Sequence, residues 1–262
     1  MTETVSVVIA NYNRSDMLVK AIQSALEQTY SVLEILVCDD GSTDDSREKV
    51  QALNNEKVQW IDSGKNGRPA IPRNIGLSKS KGDWIAILDN DDEWLPEKIE
   101  KQLKAAAQFS VKSVCTNAFR MKNGLRFDFF DRPSGILEFN ELLIVNFVIC
   151  SSMIFHRSLL NKAKSFPESK ELKALEDYVL WLRISSIDNI YYLNERLVIY
   201  NDAPSSGVRK DSLGYHEQKL LVYSDFKIWA EKENFLKVPS IITTIRSIKI
   251  DRLKTKIKKL AR

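Results

Sequence analysis

The sequence has few of the residues that build disulfide frameworks and zinc sites. Its 262 residues include three cysteines and two histidines, and no two cysteines form a C-x-x-C pair. An odd and dispersed set of cysteines argues against a disulfide framework and against a structural zinc site. We therefore expect a protein of a reducing, cytosolic environment.

Long apolar runs are also missing. The densest run covers residues 142–150 and is interrupted by Asn146, so it is too short to cross a bilayer. The first four residues, MTET, lack the basic region of a secretory signal. These absences predict a chain that does not span a membrane and is not exported.

What is present is the composition of an ordinary globular protein, with 44% apolar and 28% charged residues. Its net charge of +4 is unevenly distributed along the chain. Residues 240–262, which we call the basic tail, contain eight basic side chains and one acidic side chain. The tail therefore carries a net charge of +7, and the rest of the chain carries −3.

The basic tail has isoleucine and leucine near helical spacing, with lysine and arginine between them. A basic amphipathic helix can lie in a membrane interface, with its cations near anionic headgroups. The alternative is a helix that packs on the protein and exposes its charged face to water. Nucleic-acid binding is not expected, because the body is acidic and has no motif that reads nucleic acid.

Apolar, β-branched runs alternate with amphipathic segments over about the first 120 residues, which predicts an α/β fold with a parallel sheet. Predicted strands cover residues 5–10, 33–38, 58–61, 84–88 and 111–118, and predicted helices cover 15–28, a segment ending near 53, 70–80 and 96–109. The second half is less regular. It has short strands or a hairpin over 127–137, strands over 150–155 and 190–200, and helices over 175–186, 211–229 and 240–260.

Polar clusters follow three of the predicted strands, at residues 11–14, 39–44 and 89–92. In an open α/β sheet, ligands bind beyond the carboxyl ends of the strands. Crowded carboxylates repel one another unless a cation lies among them, and their hard oxygens suit Mg²⁺ or Mn²⁺. Either acidic loop alone is as consistent with a solvated turn or a helix cap. Two acidic loops at matching strand ends favour a ligand site.

Five segments then occur in the order and spacing of one family: VSVVIANYN at 5–13, EILVCDDGSTD at 34–44, RNIG at 73–76, GDWIAILDNDDEW at 82–94 and LEDYVLWLR at 175–183. Together they resemble glycosyltransferase family 2. The resemblance covers about residues 4–185. It implies the GT-A fold, with a Rossmann-like, mostly parallel central sheet flanked by helices, a nucleotide-sugar donor and inversion of the anomeric centre. Here a C-terminal helical extension would follow.

The resemblance implies that the donor's base lies at the ends of the first two strands. Asp39 matches the carboxylate that looks like a partner of the base. The backbone around Ala10, Asn11, Tyr12 and Asn13 matches the facing wall of the donor site.

The loop at residues 89–92 matches the family's D-x-D motif. By resemblance, Asp89 faces the ribose or the sugar, with Asn90 beside it among the donor-binding residues. Asp91 binds the metal, Mn²⁺ or Mg²⁺, that bridges the diphosphate, and Asp92 is a further candidate for either duty. Arg73 lies where the family often places a basic residue facing the donor, and the alternative for Arg73 is a surface salt bridge.

Asp177 matches the expected catalytic base, which deprotonates the acceptor hydroxyl as that hydroxyl attacks. Glu176 is the alternative base. On a helix the two side chains would point about 100° apart, so we expect only one of them to face the cleft. The competing explanation is structural, because acidic residues also stabilise a helix N-terminus.

The sequence departs from the family after residue 200. Many members carry an arginine and a histidine there, on a loop that closes over the diphosphate, whereas this chain reads NDAPSSGVR over residues 201–209. Arg209 or Lys210 is the nearest substitute.

These observations predict an inverting, metal-dependent hexosyltransferase that uses a nucleotide-sugar, by analogy a UDP-sugar, and a saccharide acceptor carried on a polyprenyl diphosphate. Residues 1–210 would form the GT-A domain, with a donor half over 1–120 and an acceptor half over 121–210, and residues 211–262 the helical extension. We expect the enzyme at the inner face of the plasma membrane, held there by the basic tail, in surface polysaccharide synthesis. The sequence leaves the oligomeric state open.

Three rival functions need to be considered. A sugar nucleotidyltransferase would need a glycine-rich phosphate loop near the N-terminus, and residues 11–14 contain no glycine. A non-catalytic nucleotide-sugar or membrane-binding module would not need the acids at Asp39, Asp89, Asp91 and Asp177. A glycosidase would also use paired carboxylates but would not need a second acid cluster on the nucleotide side.

Overall fold

A computed structural model describes residues 3–122, 124–202 and 214–235. The strands are β1 (Val5–Asn11), β2 (Glu34–Asp39), β3 (Val58–Asp62), β4 (Trp84–Asp89), β5 (Glu93–Trp94), β6 (Ser113–Lys122), β7 (Leu125–Asp128), β8 (Gly135–Leu137), β9 (Ile154–His156) and β10 (Ile190–Asn201). The α-helices are α1 (Ser15–Leu26), α2 (Ser46–Ala52), α3 (Ala70–Lys79), α4 (Lys98–Phe109), α5 (Phe139–Ile144), α6 (Leu160–Ala163), α7 (Glu176–Ile187) and α8 (Tyr215–Lys232).

The strands form one sheet in the order β3-β2-β1-β4-β9-β6-β10-β5, with β7 beside β6 and β8 beside β10. The first four strands along this order pair in parallel, as do β6 and β10. The short strand β9 runs antiparallel between β4 and β6 and joins the two parallel blocks. The predicted α/β fold, with a mostly parallel sheet flanked by helices, is confirmed.

Apolar side chains cover both faces of this sheet because successive strand residues point to opposite sides. In β1, Val8 belongs to the core that includes α7 and α8, whereas Val7 and Ile9 belong to the core that includes α1 and α4. Continuous apolar strands are what a parallel sheet covered on both faces requires. The sheet edge at the carboxyl ends of β1, β2 and β4 is therefore held rigidly between two packed layers.

Helix α3 lies unusually close to the sheet. A Cβ atom placed on Gly76 would stand 2.4 Å from Cγ1 of Val8 and 3.1 Å from Sγ of Cys38. Only glycine permits this approach without a shift of the helix or the strand. Asn74 fixes the same helix by donating from Nδ2 to the Phe166 carbonyl over 2.9 Å and accepting from the Phe166 N–H over 2.9 Å. Gly76 and Asn74 therefore act in packing.

The structure corrects the predicted strand over residues 150–155. Residues 150–152 form a 3₁₀ turn, and only residues 154–156 form a strand. Backbone bonds from the Ser152 and Met153 N–H groups to the Ile149 and Cys150 carbonyls close the turn. Of the two alternatives for residues 127–137, short strands are confirmed by β7 and β8, and a hairpin is wrong, because β7 pairs with β6 whereas β8 pairs with β10.

Helix α8 contributes to the same core as α7. Val222, Tyr223, Phe226, Trp229 and Ala230 are buried there. The predicted domain boundary at residue 210 stays a prediction, as does the division at residue 120. The basic tail and the lid candidates Arg209 and Lys210 lie outside the described residues, and no described helix is both long enough and apolar enough to cross a membrane.

Candidate active site

Three loops meet at the carboxyl ends of the parallel strands, as the polar clusters predicted. β1 lies between β2 and β4, so that Asn11 is in register with Asp39 and Ala10 is in register with Asp89. The Asn11 side chain joins the other two loops. Its Nδ2 donates to Oδ1 of Asp39 over 2.9 Å, and its Oδ1 accepts from Nδ2 of Asn90 over 2.7 Å. One amide therefore sets the spacing of the three strand ends.

The predicted base-binding residue Asp39 is buried and holds the turn that follows it. Its Oδ2 accepts from the Gly41 N–H over 3.1 Å and from the Ser42 N–H over 2.8 Å. Gly41 has a positive φ of 81° and permits the turn, because such a conformation is strained for residues with a side chain. Asp39 is thus placed at the end of β2 with a fixed orientation.

The opposite wall consists of the loop after β1. Asn13 has a positive φ of 46°, and its Oδ1 accepts from the Thr43 N–H over 2.7 Å. Its own N–H donates to Oγ of Ser42 over 2.9 Å. Tyr12 is exposed, with 47% of its surface accessible, and Ala10 is partly buried. The loops after β1 and β2 therefore form one hydrogen-bonded unit with an accessible aromatic ring.

Arg73 on α3 connects the two predicted halves of the site. Its guanidinium contacts Oδ1 of Asp89 over 2.6 Å and Oε1 of Glu176 over 2.6 Å. Arg73 is only 5% exposed and Glu176 only 3% exposed, so the alternative of a surface salt bridge is wrong. This buried ion-pair chain, Asp89–Arg73–Glu176, fixes the start of α7 relative to the end of β4.

Asp177 follows Glu176 at the start of α7 and is partly exposed. Burial raises the pKa of Asp177 to about 7, and the neighbouring charge of Glu176 acts in the same direction. The guanidinium of Arg73 opposes both effects. A carboxylate with a pKa near neutrality can accept a proton from a hydroxyl more effectively than an ordinary aspartate. Glu176, in contrast, is buried in its ion pair with Arg73.

Each acid of the D-x-D motif pairs with a different arginine: Asp91 forms an ion pair with Arg14, and Asp89 forms one with Arg73. Burial raises the pKa of Asp91, and the nearby charge of Asp89 raises it further. These two acids are therefore crowded in the way that a divalent cation relieves. Among the described residues, no set of three or more His, Cys, Asp or Glu side chains could hold a metal ion. The carboxylates of Asp89 and Asp91 therefore fit Mg²⁺ or Mn²⁺ only where phosphate and water complete the coordination of the ion.

Both carboxylate oxygens of Asp92 accept hydrogen bonds from the protein itself. The residue is fully buried, its Oδ2 accepts from Oγ of Ser151 over 2.6 Å, and its Oδ1 accepts from the Asn201 N–H over 3.0 Å. Oγ of Ser151 also accepts from the Asp89 N–H over 3.0 Å. Asp92 therefore connects the loop to the 3₁₀ turn and to β10, and its prediction as a metal ligand is not supported by this placement.

Sequence reasoning missed three residues of this arrangement. Arg14 is part of the polar cluster after β1. Its partner Asp91 lies 77 residues away, so no local sequence pattern indicated this ion pair. Ser151 stood in a segment that we interpreted as a strand. Asn201 is the last residue of β10, and its Nδ2 donates to the Asp91 carbonyl, which attaches the end of β10 to the acidic loop. Only the fold brings these side chains to the acidic loop.

Comparison with known proteins agrees with this architecture. The sequence model of glycosyl transferase family 2 matches residues 6–163. The Escherichia coli UDP-Glc:alpha-D-GlcNAc-diphosphoundecaprenol beta-1,3-glucosyltransferase WfaP is 34% identical over 184 residues, which cover 70% of this chain and 71% of that protein. The Bacillus subtilis putative teichuronic acid biosynthesis glycosyltransferase TuaG is 26% identical over 204 residues, covering 75% and 78%.

A solved structure shows the same fold. S. aureus TarS 1–349 in complex with UDP-GlcNAc superposes with a TM-score of 0.74 at 17% identity, covering 94% of this chain and 71% of that one. The family match extends over more than half of the chain and includes β2, β4, nearly all of β1, and the polar loops that follow these three strands. The chain is a glycosyltransferase and belongs to glycosyltransferase family 2.

Proposed function

We propose that this protein is an inverting, metal-dependent hexosyltransferase of surface polysaccharide synthesis. Its donor is a UDP-sugar and its acceptor is a saccharide on a polyprenyl diphosphate. WfaP, which is named for a UDP-Glc donor and a GlcNAc-diphosphoundecaprenol acceptor, supports this assignment. A second E. coli relative, WfgD, carries the same description and is 33% identical over 190 residues.

The observation that carries the proposal is the position of Asp177. This carboxylate is partly exposed, has a pKa raised to about 7, and is tied through Glu176 and Arg73 to Asp89 on the donor side. In the reaction, the Asp177 carboxylate accepts the proton of the acceptor hydroxyl as the hydroxyl oxygen forms a bond to the anomeric carbon. The bond from that carbon to the nucleoside diphosphate breaks, and a single displacement of this kind inverts the anomeric centre.

The D-x-D loop would assist the departure of the leaving group, the nucleoside diphosphate. Asp91, with Asp89 beside it, would hold a divalent cation at the diphosphate. When bound, that cation would offset the negative charge that develops on the leaving nucleoside diphosphate. Asp39 and the loop after β1 would orient the nucleoside at the far end of the site.

The experiment is a donor panel with the purified full chain. UDP-, GDP- and dTDP-hexoses are supplied with Mn²⁺ and a synthetic GlcNAc-α-diphosphate carrying a lipid chain, and product and released nucleotide are measured. We expect transfer from a UDP-hexose, loss of transfer on addition of EDTA, and recovery with excess Mn²⁺. The coupling constant of the new anomeric proton reports inversion. No turnover of any donor, undiminished transfer in EDTA, or a retained anomeric configuration would contradict the proposal.

A further inference from the structure

Arg14 is the cationic partner of the proposed metal-binding carboxylate. It follows the loop after β1, and its guanidinium pairs with Asp91, which lies 77 residues further along the chain. Both side chains are mostly buried, at 18% and 23% exposure. The guanidinium thus compensates the charge of the acidic loop.

The backbone holds Arg14 in place for this contact. Asn13, the preceding residue, is fixed to the loop after β2 through Ser42 and Thr43. The Arg14 carbonyl accepts from the Leu18 N–H over 2.8 Å at the start of α1. Arg14 therefore extends from a rigid junction between a strand and a helix, unlike the side chain of a mobile surface loop.

A divalent cation and Arg14 need the same carboxylate. Bare Mg²⁺ or Mn²⁺ would have to displace or share a partly buried ion pair, which opposes its binding. A cation that arrives with a nucleoside diphosphate also brings phosphate oxygens, and a guanidinium pairs with these as well as with a carboxylate. The exchange then costs little, since Arg14 loses one anionic partner and gains another.

We propose that Arg14 makes cation binding depend on the nucleotide: it pairs with Asp91 in the donor-free protein and transfers to the diphosphate when cation and donor bind together. Arg14 is in this sense a positioning residue of the donor site. The inference rests on the proposed function, because it assumes a metal–diphosphate donor.

The test measures binding of the cation and of the nucleotide separately. Mn²⁺ alone is titrated into the full chain and followed by the electron paramagnetic resonance signal of free Mn²⁺. UDP is titrated calorimetrically in the presence of Mn²⁺. For Arg14→Gln we expect Mn²⁺ alone to bind about tenfold more tightly and UDP with Mn²⁺ to bind about tenfold more weakly, as for one charge-assisted hydrogen bond. Arg14→Lys keeps the charge and should stay near the wild-type affinity for Mn²⁺ alone.

The matched control is Lys104→Gln, which removes one positive charge from an exposed ion pair with Glu100 on α4. It should change neither affinity. Weaker binding of both ligands to Arg14→Gln, or an unchanged affinity for Mn²⁺ alone, would overturn the role of Arg14. If either of these results is obtained and UDP-hexose turnover is still EDTA-sensitive, the role of Arg14 is wrong but the proposed function stands. If the wild-type protein binds no Mn²⁺ even with UDP and transfers no sugar, both proposals fail.

Discussion

Glu176 and Asp177 are neighbours in the chain, but the structure gives them different surroundings. Glu176 is buried against Arg73, and its charge is compensated by that ion pair. Asp177 is partly exposed, and its pKa is raised by burial and by Glu176. Adjacent positions at a helix start diverge by about 100°, which places Glu176 in the ion pair and leaves Asp177 outside it, as the proposed base requires.

Replacement of Asp177 tests the assignment of the base. Asp177→Asn cannot accept a proton, so we expect transfer to fall by about 10²–10⁴-fold while UDP still binds with unchanged affinity. The matched control is Asp188→Asn at the other end of α7, which should retain activity. Turnover is measured by released UDP and binding by calorimetry. A variant with normal turnover would remove Asp177 from the mechanism.

The pH dependence of the reaction rate gives a second test of Asp177 as the base. Because the base must be ionised and the pKa of Asp177 is raised to about 7, the rate should rise with pH through about 7 and level off above it. An ordinary aspartate would give a flat profile from pH 5 upwards. The pH dependence of kcat/KM reports the pKa of the free enzyme, so kcat/KM measured between pH 5 and 9 distinguishes the two cases.

At the scale of elements, the short 3₁₀ turn over residues 150–152 supports the acidic loop at residues 89–92. Ser151 bonds to Asp92 and to the Asp89 backbone, and its carbonyl accepts from Nε1 of Trp94 over 2.7 Å. One turn from the second half of the chain thereby holds the end of β4 and the start of β5. The conformation of the acidic loop is therefore held by a segment outside it.

Removal of the Ser151 hydroxyl tests this support. Ser151→Ala leaves Asp92 buried with one donor fewer, so the free energy of unfolding should fall by about 1–3 kcal/mol. Binding of UDP with Mn²⁺ should weaken as well. The control is Ser152→Ala, whose hydroxyl donates to the Ile149 carbonyl over 2.7 Å and does not contact the acidic loop in the structure. Urea unfolding and calorimetry should show lost binding for the first variant alone; equal losses for both would contradict the role of Ser151.

For the whole molecule, the division of charge is the feature to explain. The body carries the carboxylates of the site, and the basic tail carries a net charge of +7. Each surface cation near an anionic membrane contributes about 1 kcal/mol of attraction. A lipid-linked acceptor would be concentrated on such a membrane. We therefore predict that the tail binds anionic lipid and that catalysis does not require it.

Deletion of residues 240–262 tests that prediction. The truncated chain retains α8, whose buried face completes the core around α7, so we expect it to fold and to hydrolyse the UDP-sugar. It should no longer sediment with vesicles that contain anionic phospholipid. As a matched variant, the full chain with Lys254, Lys256, Lys258 and Lys259 changed to Gln should lose most of its binding. Sedimentation of the truncated chain at wild-type levels would place the membrane contact elsewhere.

The sequence by itself determined the α/β fold and the place of the site. Apolar, β-branched runs specify buried parallel strands, and parallel strands bring their carboxyl ends to one edge. The clusters at residues 11–14, 39–44 and 89–92 were predicted to converge for that reason, and Asn11 does connect them. The role of Asp177 as the base, which the family motif at residues 175–183 implied, stays a prediction.

Only the tertiary structure decided what each side chain contacts. The pairs Arg14–Asp91, Arg73–Glu176 and Ser151–Asp92 span 77, 103 and 59 residues. No local pattern encodes such contacts, because they arise from packing of the elements. They give Asp91 an arginine partner and give Asp92 the Ser151 hydroxyl, although the two acids are adjacent in the sequence. Local periodicity therefore specifies the elements, and long-range packing assigns the acids their roles.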